Sequence, residues 1–364
     1  MKSIEIACLT PYQFPISAST RYRFGQYRPF LEQHGIHVRI VPFASPKLQS
    51  ILYQPGRKIA KVAALVRSAI HWLPQALQHA DAVFVQREAA LIGPPLVERW
   101  LSRRYPLIYD FDDAIFLPQS AGVNGRLARK LRPRTKTATL IRLSTLVFAG
   151  NDYLADYARG YNSRVYVVPT TVDCTLLQPR KVNAPSQKLT LGWIGTNATT
   201  RYLELALPAL EELAQKRHFR LLIVGADRRI EIAGAECINR QWNLEREIAD
   251  LHEMDIGLYP LPESAWSLGK CALKAIQYGA VGIPTVCTPI GMNTEVVQDV
   301  VTGFYATTTS EWVTQIIKLL DDGDLRAKQG AAARYKVMQH YCLANYGDTI
   351  AHYIRQAVEE PRHR

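Results

Sequence analysis

Short apolar runs separated by helix-length amphipathic segments recur along the whole chain. In the first half the runs are Ile4 to Thr10, His37 to Phe43, Ala82 to Gln86, Leu107 to Phe111, Thr145 to Ala149 and Val165 to Pro169. Near-continuous Val, Ile and Leu content in such runs predicts parallel strands buried on both faces by crossover helices. From Leu176 to Lys188 the periodicity stops and Pro, Gln, Lys and Asn accumulate, which marks a linker. A second series follows: strands at Leu189 to Ile194, Arg220 to Val224, Ile256 to Tyr259 and Thr285 to Cys287, with helices at about Tyr202 to Gln215, Leu244 to Glu253 and Lys270 to Gly279, then two closing helices. The pattern predicts an α/β chain of two Rossmann-like, doubly wound domains facing each other across a cleft, with ligands at the carboxyl ends of the strands. The expected domains are residues 1–173 and 188–340, with 341–364 a closing helix that can pack back on the first.

Length agrees with this division, since 364 residues suit two α/β domains of about 170 to 190 residues better than one. The six cysteines, Cys8, Cys174, Cys237, Cys271, Cys287 and Cys342, lie far apart, without a CxxC pair or a His cluster at metal-ligand spacing. They read as reduced core residues, and no metal is expected. The N-terminus enters a strand directly, and no long apolar run follows, so the expectation is a cytoplasmic protein that spans no membrane. Charge is informative when split: residues 1–170 hold 23 Lys and Arg against 10 Asp and Glu, a balance of +13, and residues 171–364 hold 21 against 22, a balance of −1. A field confined to one half implies an anionic partner for that half.

The most specific stretch is Asp255 to Gly291, DIGLYPLPESAWSLGKCALKAIQYGAVGIPTVCTPIG. A strand ends in a Pro-containing loop, and Ser267-Leu-Gly269 is expected to open a helix whose free N–H groups and dipole favour phosphate, with Lys270 adding charge beside them. By itself this could also be an ordinary crossover with a surface lysine. In combination the stretch resembles the donor-binding segment of the retaining GT-B glycosyltransferases, glycosyl transferases group 1 (family 4-like), whose usual form is E-x7-E followed by A-x-A-x-G-x-P-V. Ser144 to Asp173 resembles the end of that family's acceptor domain, Leu191 to Leu203 the glycine loop opening its donor domain, and Ala18 to Gly35 the first loop and helix of its acceptor domain.

The resemblance implies a GT-B fold, a nucleotide diphosphate sugar as donor substrate, no cofactor, and transfer with retention. It places the donor against Gly195, Thr196, Arg201, Gly225, Glu263, Ser267, Gly269, Lys270 and Gln277. Aligned on Gly282 and Pro284, the family's two glutamates are replaced by Gly269 and Gln277, and its loop arginine by Thr196. Gln277 could still bond a ribose hydroxyl, while Arg201 and Lys270 are expected to neutralise the leaving diphosphate.

Three features of the first half have two readings each. Asp110-Phe-Asp-Asp113 has the look of a metal-binding DxD, but it ends a strand where the family places an acceptor-side residue and uses no metal. Asp110 or Asp113 is expected either to orient or deprotonate the acceptor hydroxyl, or to cap a helix. Strand alternation predicts Asp110 and Asp112 on one face and Asp113 on the other. Ser17 to Arg23, with Ser19, Arg21 and Arg23, is a phosphate or acceptor loop or the start of a solvated helix. Gly56 to Leu77 mixes Arg57, Lys58, Lys61 and Arg67 with aliphatic residues and Trp72 at helical spacing, and Arg126 to Arg142 repeats the basic theme. Such a helix serves an anionic membrane surface or covers a sheet.

The function expected from these readings is sugar transfer to a glycan or lipid-linked acceptor at the inner face of the cell membrane, in cell-envelope polysaccharide assembly. A nucleotide-sugar epimerase or sugar phosphorylase, or an inactive binding module, could use the same fold. Nucleic acid is not expected, because no aromatic platform accompanies the basic runs.

Overall fold

Parallel pairing of the apolar runs builds two six-stranded sheets, one in each of two structural units. The structure, a computed structural model, describes residues 3–52, 54, 56–117, 135–180 and 188–359. Residues 126–134 of the second basic run and 181–187 of the expected linker lie outside the described residues.

The first unit comprises Met1–Thr170 and Tyr346–Arg364. Its strands are β1 (Ile4–Thr10), β2 (Ile36–Pro42), β3 (Ala82–Gln86), β4 (Leu107–Phe111), β5 (Leu146–Ala149) and β6 (Val165–Val167), in the order β2-β1-β3-β4-β5-β6. All the pairings are parallel. β3, β4 and β5 are buried throughout, the consequence of helices on both faces. Fully burying a side chain such as Phe84 or Leu9 contributes about 1.5–3 kcal/mol. The final helix, Gly347–Glu359, belongs to this unit: Tyr353 stacks on Tyr166 of β6 at 3.9 Å, and Arg355 donates to the carbonyl of His34.

The second unit, Thr171–Asn345, holds β7 (Thr190–Ile194), β8 (Arg220–Val224), β9 (Glu236–Arg240), β10 (Ile256–Tyr259), β11 (Thr285–Cys287) and β12 (Gly303–Tyr305). The order β12-β11-β10-β7-β8-β9 is the doubly wound one, with the unit's first strand at the centre. Tyr278, on the helix Leu273–Ala280, fastens that centre. Its buried hydroxyl accepts the Ile194 N–H at 3.2 Å and lies 3.3 and 3.4 Å from the carbonyls of Gly192 and Leu258, to which its proton goes. Burial pushes this phenol well above the usual tyrosine range. Gly192 and Gly257 leave the room: a Cβ on the first would overlap Met254, and on the second the Tyr278 ring.

Two cysteines depart from the expectation of a fully reduced set. Cys174 and Cys342, 168 residues apart in sequence, form a disulfide. Val172 and Cys342 bridge in parallel, with Val172 N–H on the Tyr341 carbonyl and Leu343 N–H on that of Val172, each at 2.9 Å. This pairing of distant segments brings the two thiols together, which no local spacing reveals. Cys8, Cys271 and Cys287 are buried and join no disulfide.

Tyr278→Phe keeps the ring and removes the hydroxyl, leaving the Ile194 N–H without that partner. A loss of about 1–3 kcal/mol is expected in denaturant unfolding of the second unit, and an unchanged midpoint would contradict the fastening role.

Candidate functional site

In each sheet the carboxyl edge has one point where successive crossovers leave in opposite directions, and functional side chains gather there. In the first unit this point lies between β1 and β3. Ser17 caps the helix Ala18–Arg23, its side chain accepting the Thr20 N–H. Thr20 Oγ1 then donates to Gln86 Oε1 at 3.3 Å, Gln86 Nε2 to Ser19 Oγ at 2.7 Å, and Ser19 Oγ to Asp112 Oδ2 at 2.5 Å. This chain of hydrogen bonds joins the ends of β1, β3 and β4.

Beneath it Arg23 and Asp110 form an ion pair that is 1% exposed on both sides, Nη2 at 2.5 Å and Nε at 3.2 Å from each oxygen. Arg23 Nη1 also donates to the Val168 carbonyl at 2.5 Å. Burial pushes the Asp110 carboxyl above the usual carboxylate range, and the Arg23 guanidinium opposes it. Arg21 is half-buried, its guanidinium over the Tyr22 ring at 4.5 Å from the centroid.

Asp112 and Asp113 lie past the strand, which stops at Phe111. The bend there lets one guanidinium reach both: Arg87 Nε is 3.3 Å from Asp112 Oδ1, and Nη2 pairs with Asp113. Arg87 itself has φ of 61°, held by its N–H on the Asp110 carbonyl at 2.7 Å and by the Tyr109 hydroxyl on its own carbonyl at 2.9 Å. A non-glycine residue in the left-handed region costs about 1–3 kcal/mol and persists where its surroundings over-determine it. Nothing in the sequence singled out Arg87.

In the second unit the divergence falls between β7 and β10. After β7, Gly195 sits against the Trp193 ring, where a Cβ would overlap it. Thr196 and Thr199 close the turn, Thr196 N–H donating to Thr199 Oγ1 at 2.9 Å. Arg201 is exposed on the short helix Thr200–Leu203, within 3.2 Å of the Tyr202 hydroxyl. Gly225 ends β8 with φ of +80°, and a Cβ there would overlap the Gly195 carbonyl, so the two glycine turns touch backbone to backbone.

The segment after β10 differs from the expected helix. Ser264 caps a separate short helix, Ala265–Leu268, accepting the Ser267 N–H at 3.2 Å, and Gly269 ends it. Ser267 is therefore buried within a closed turn and opens no helix; Glu263 is exposed before it. The longer helix begins only at Leu273, after Ala272 at φ of 50°. Lys270 lies between the two helices, its ammonium 5.7 Å from the Trp266 ring centroid. Lys274 enters the first turn of the longer helix and stands 5.6 Å from the Trp193 ring and 5.1 Å from that of Tyr259, over the ends of β7 and β10 themselves. Sequence reasoning missed Lys274, although it falls four residues after Lys270.

Gln277 is 4% exposed, and its amide donates to Glu247 Oε1 at 3.2 Å, while Trp242 Nε1 donates to Glu247 Oε2 at 2.6 Å. The carboxylate absent from position 277 thus has a neighbour on the helix Glu247–His252. Among the described residues no group of three His, Cys, Asp or Glu could hold a metal ion.

Glycine turns and Lys274 thus stand at the divergence point of the second sheet, and comparison with known proteins gives the class. Residues 188–322 match the family described as Glycosyl transferases group 1. Solved structures with the same fold include a sucrose-phosphate synthase from Thermosynechococcus elongatus, at 14% identity over 97% of this chain and 98% of that one, with a TM-score of 0.67. A glycosyltransferase from Rickettsia africae reaches 14% over 99% and 100%, also at 0.67. Anabaena HepE, in complex with UDP and glucose, reaches 14% over 97% and 100%, again at 0.67. At such identities the likeness carries the fold. No curated protein matches the chain. The architecture is GT-B, the second unit contains a glycosyl transferases group 1 domain, and domain and fold together are those of a glycosyltransferase.

Asp110→Asn leaves the Arg23 charge buried and should destabilise the first unit by about 3–5 kcal/mol, read as a shift in denaturant midpoint. Stability within a few tenths of wild type would contradict the ion pair. Gly225→Ala combines a left-handed backbone with an overlap on Gly195, and should weaken binding of a nucleoside diphosphate by about tenfold or more in calorimetry.

Proposed function

We propose that the chain transfers a sugar from a nucleotide diphosphate donor to a hydroxyl of a glycan or lipid-linked acceptor, with retention at the anomeric carbon, in cell-envelope polysaccharide assembly. The observation that carries this reading is the contact of the Gly195 and Gly225 turns, with Lys274 over the ends of β7 and β10, in a glycosyl transferases group 1 domain. Backbone N–H groups of the Gly195 turn and the charges of Arg201 and Lys270, joined by Lys274, take the diphosphate, and neutralising it makes the nucleotide a better leaving group. UDP sugars head the candidate donors, since HepE holds UDP-glucose in a related fold.

Acceptor chemistry falls to the first unit. Asp110 has both oxygens engaged by buried Arg23, whereas Asp113, 15% exposed, stays within reach of an acceptor hydroxyl and takes the orienting role. Ser19, Arg21 and the Arg87-bound Asp112 line the same strand ends. The +13 balance of residues 1–170 suits an acceptor held at an anionic surface.

A thermal-shift panel of UDP, GDP and ADP sugars tests the donor, because a ligand binding only the folded state raises stability by the logarithm of its saturation. A rise with one donor class is expected, reduced in Arg201→Ala and Lys270→Ala, each of which should lower turnover by at least about tenfold. Wild-type turnover in both variants would remove the diphosphate assignment.

A further inference from the structure

The helix Lys58–Ala76 leaves most of its branched aliphatic residues facing water. Ala64, Ser68, Trp72 and Ala76, four residues apart, form the buried side. Trp72 meets Phe43 edge-on at 5.4 Å, and Ser68 Oγ accepts the Ser45 N–H at 3.1 Å. The opposite side carries Ile59 at 88% exposure, Val62 at 57%, Val66 at 55%, Ile70 at 64% and Leu73 at 40%. At the helical repeat these five fall within about 80° of the circumference, a stripe along a helix about 28 Å long.

A helix that only covered a sheet would present charge to solvent and aliphatic groups to the core. Here the aliphatic groups face solvent beside the charges, and a contiguous exposed apolar stripe marks a binding surface. Its borders give the partner's chemistry. Lys58 flanks one side of the stripe, Arg67 and His71 the other, and no Asp or Glu occurs from Arg57 to Ala76. Aliphatic groups between cations match a surface that is apolar at depth and anionic above it.

We infer that the helix Lys58–Ala76 lies flat in the interface of an anionic lipid bilayer. Ile59, Val62, Val66, Ile70 and Leu73 enter the acyl boundary, while Lys58 and Arg67 remain among the headgroups. No helix among the described residues is long and apolar enough to cross a membrane, so the contact is interfacial. The inference rests on the membrane-held acceptor of the proposed function and names the surface that meets it.

Flotation of the full chain with vesicles of phosphatidylcholine alone, or mixed with phosphatidylglycerol, reads the contact without any sugar chemistry. Wild type should float with the anionic vesicles only. Ile59→Asp/Ile70→Asp should lower the bound fraction constant more than about tenfold, and Lys58→Gln/Arg67→Gln about tenfold, with circular dichroism and donor thermal shift unchanged. Equal binding by wild type and both variants, no binding by wild type, or a concentration-dependent dimer abolished by the aspartates in place of vesicle binding would each overturn the inference. Vesicle binding without turnover of any nucleotide sugar would instead overturn the proposed function and leave the lipid contact standing.

Discussion

The divergence of the chain to either side of β7 is the constraint from which the donor side follows. A parallel sheet places every strand's carboxyl end on one edge, and a doubly wound order leaves a gap between the crossovers at one position only. The chain keeps that position narrow and polar. Gly257 admits the Tyr278 ring and Gly192 the Met254 side chain, the Tyr278 hydroxyl joins β7 to β10, and Gly195 and Gly225 bring two turns into backbone contact. Lys274 then stands over both strand ends, supported by the faces of Trp193 and Tyr259. A cation on an aromatic face is attracted by the ring quadrupole, which places the Lys274 charge at the strand ends.

The first unit solves a related problem with different chemistry. Its switch point carries carboxylates and hydroxyls where the second unit carries glycines and lysines. The buried Arg23–Asp110 pair is costly to desolvate and is compensated by the bidentate geometry and the Val168 carbonyl. It fixes the end of β4, and Arg87 fixes the two aspartates beyond it in a strained backbone conformation. The two carboxylates held this way are largely buried, at 14% and 15% exposure, and the proposed acceptor-orienting role calls for such fixed placement.

The doubly wound α/β architecture was legible because central parallel strands read as mostly apolar runs, as in Ala82–Gln86 and Leu107–Phe111, and their ends are sharp. The strands that escaped notice, Glu236–Arg240 and Gly303–Tyr305, are the two edges of the second sheet. One is half-exposed and charged at both ends, and the other has three residues, so neither shows a burial pattern. At Ser264 to Ala272 the helical spacing continued through a break. The Ser264 cap and the left-handed Ala272 divide what one period would join, which moves Ser267 and Gly269 from the start of a helix to the end of another. Lys274, Arg87 and the Cys174–Cys342 bond owe their places to contacts between distant strands or segments, and spacing carries no record of those. Glu247 stayed hidden for the same reason: it reaches Gln277 from a helix thirty residues earlier in sequence.

A structure of the protein crystallised with UDP tests the central claim most directly. The diphosphate should lie at the carboxyl ends of β7 and β10, within hydrogen-bond reach of the Gly195 turn and of at least one of Arg201, Lys270 and Lys274. A nucleotide seated at the carboxyl edge of the first sheet, or a second unit that stays empty at saturating UDP, would contradict it.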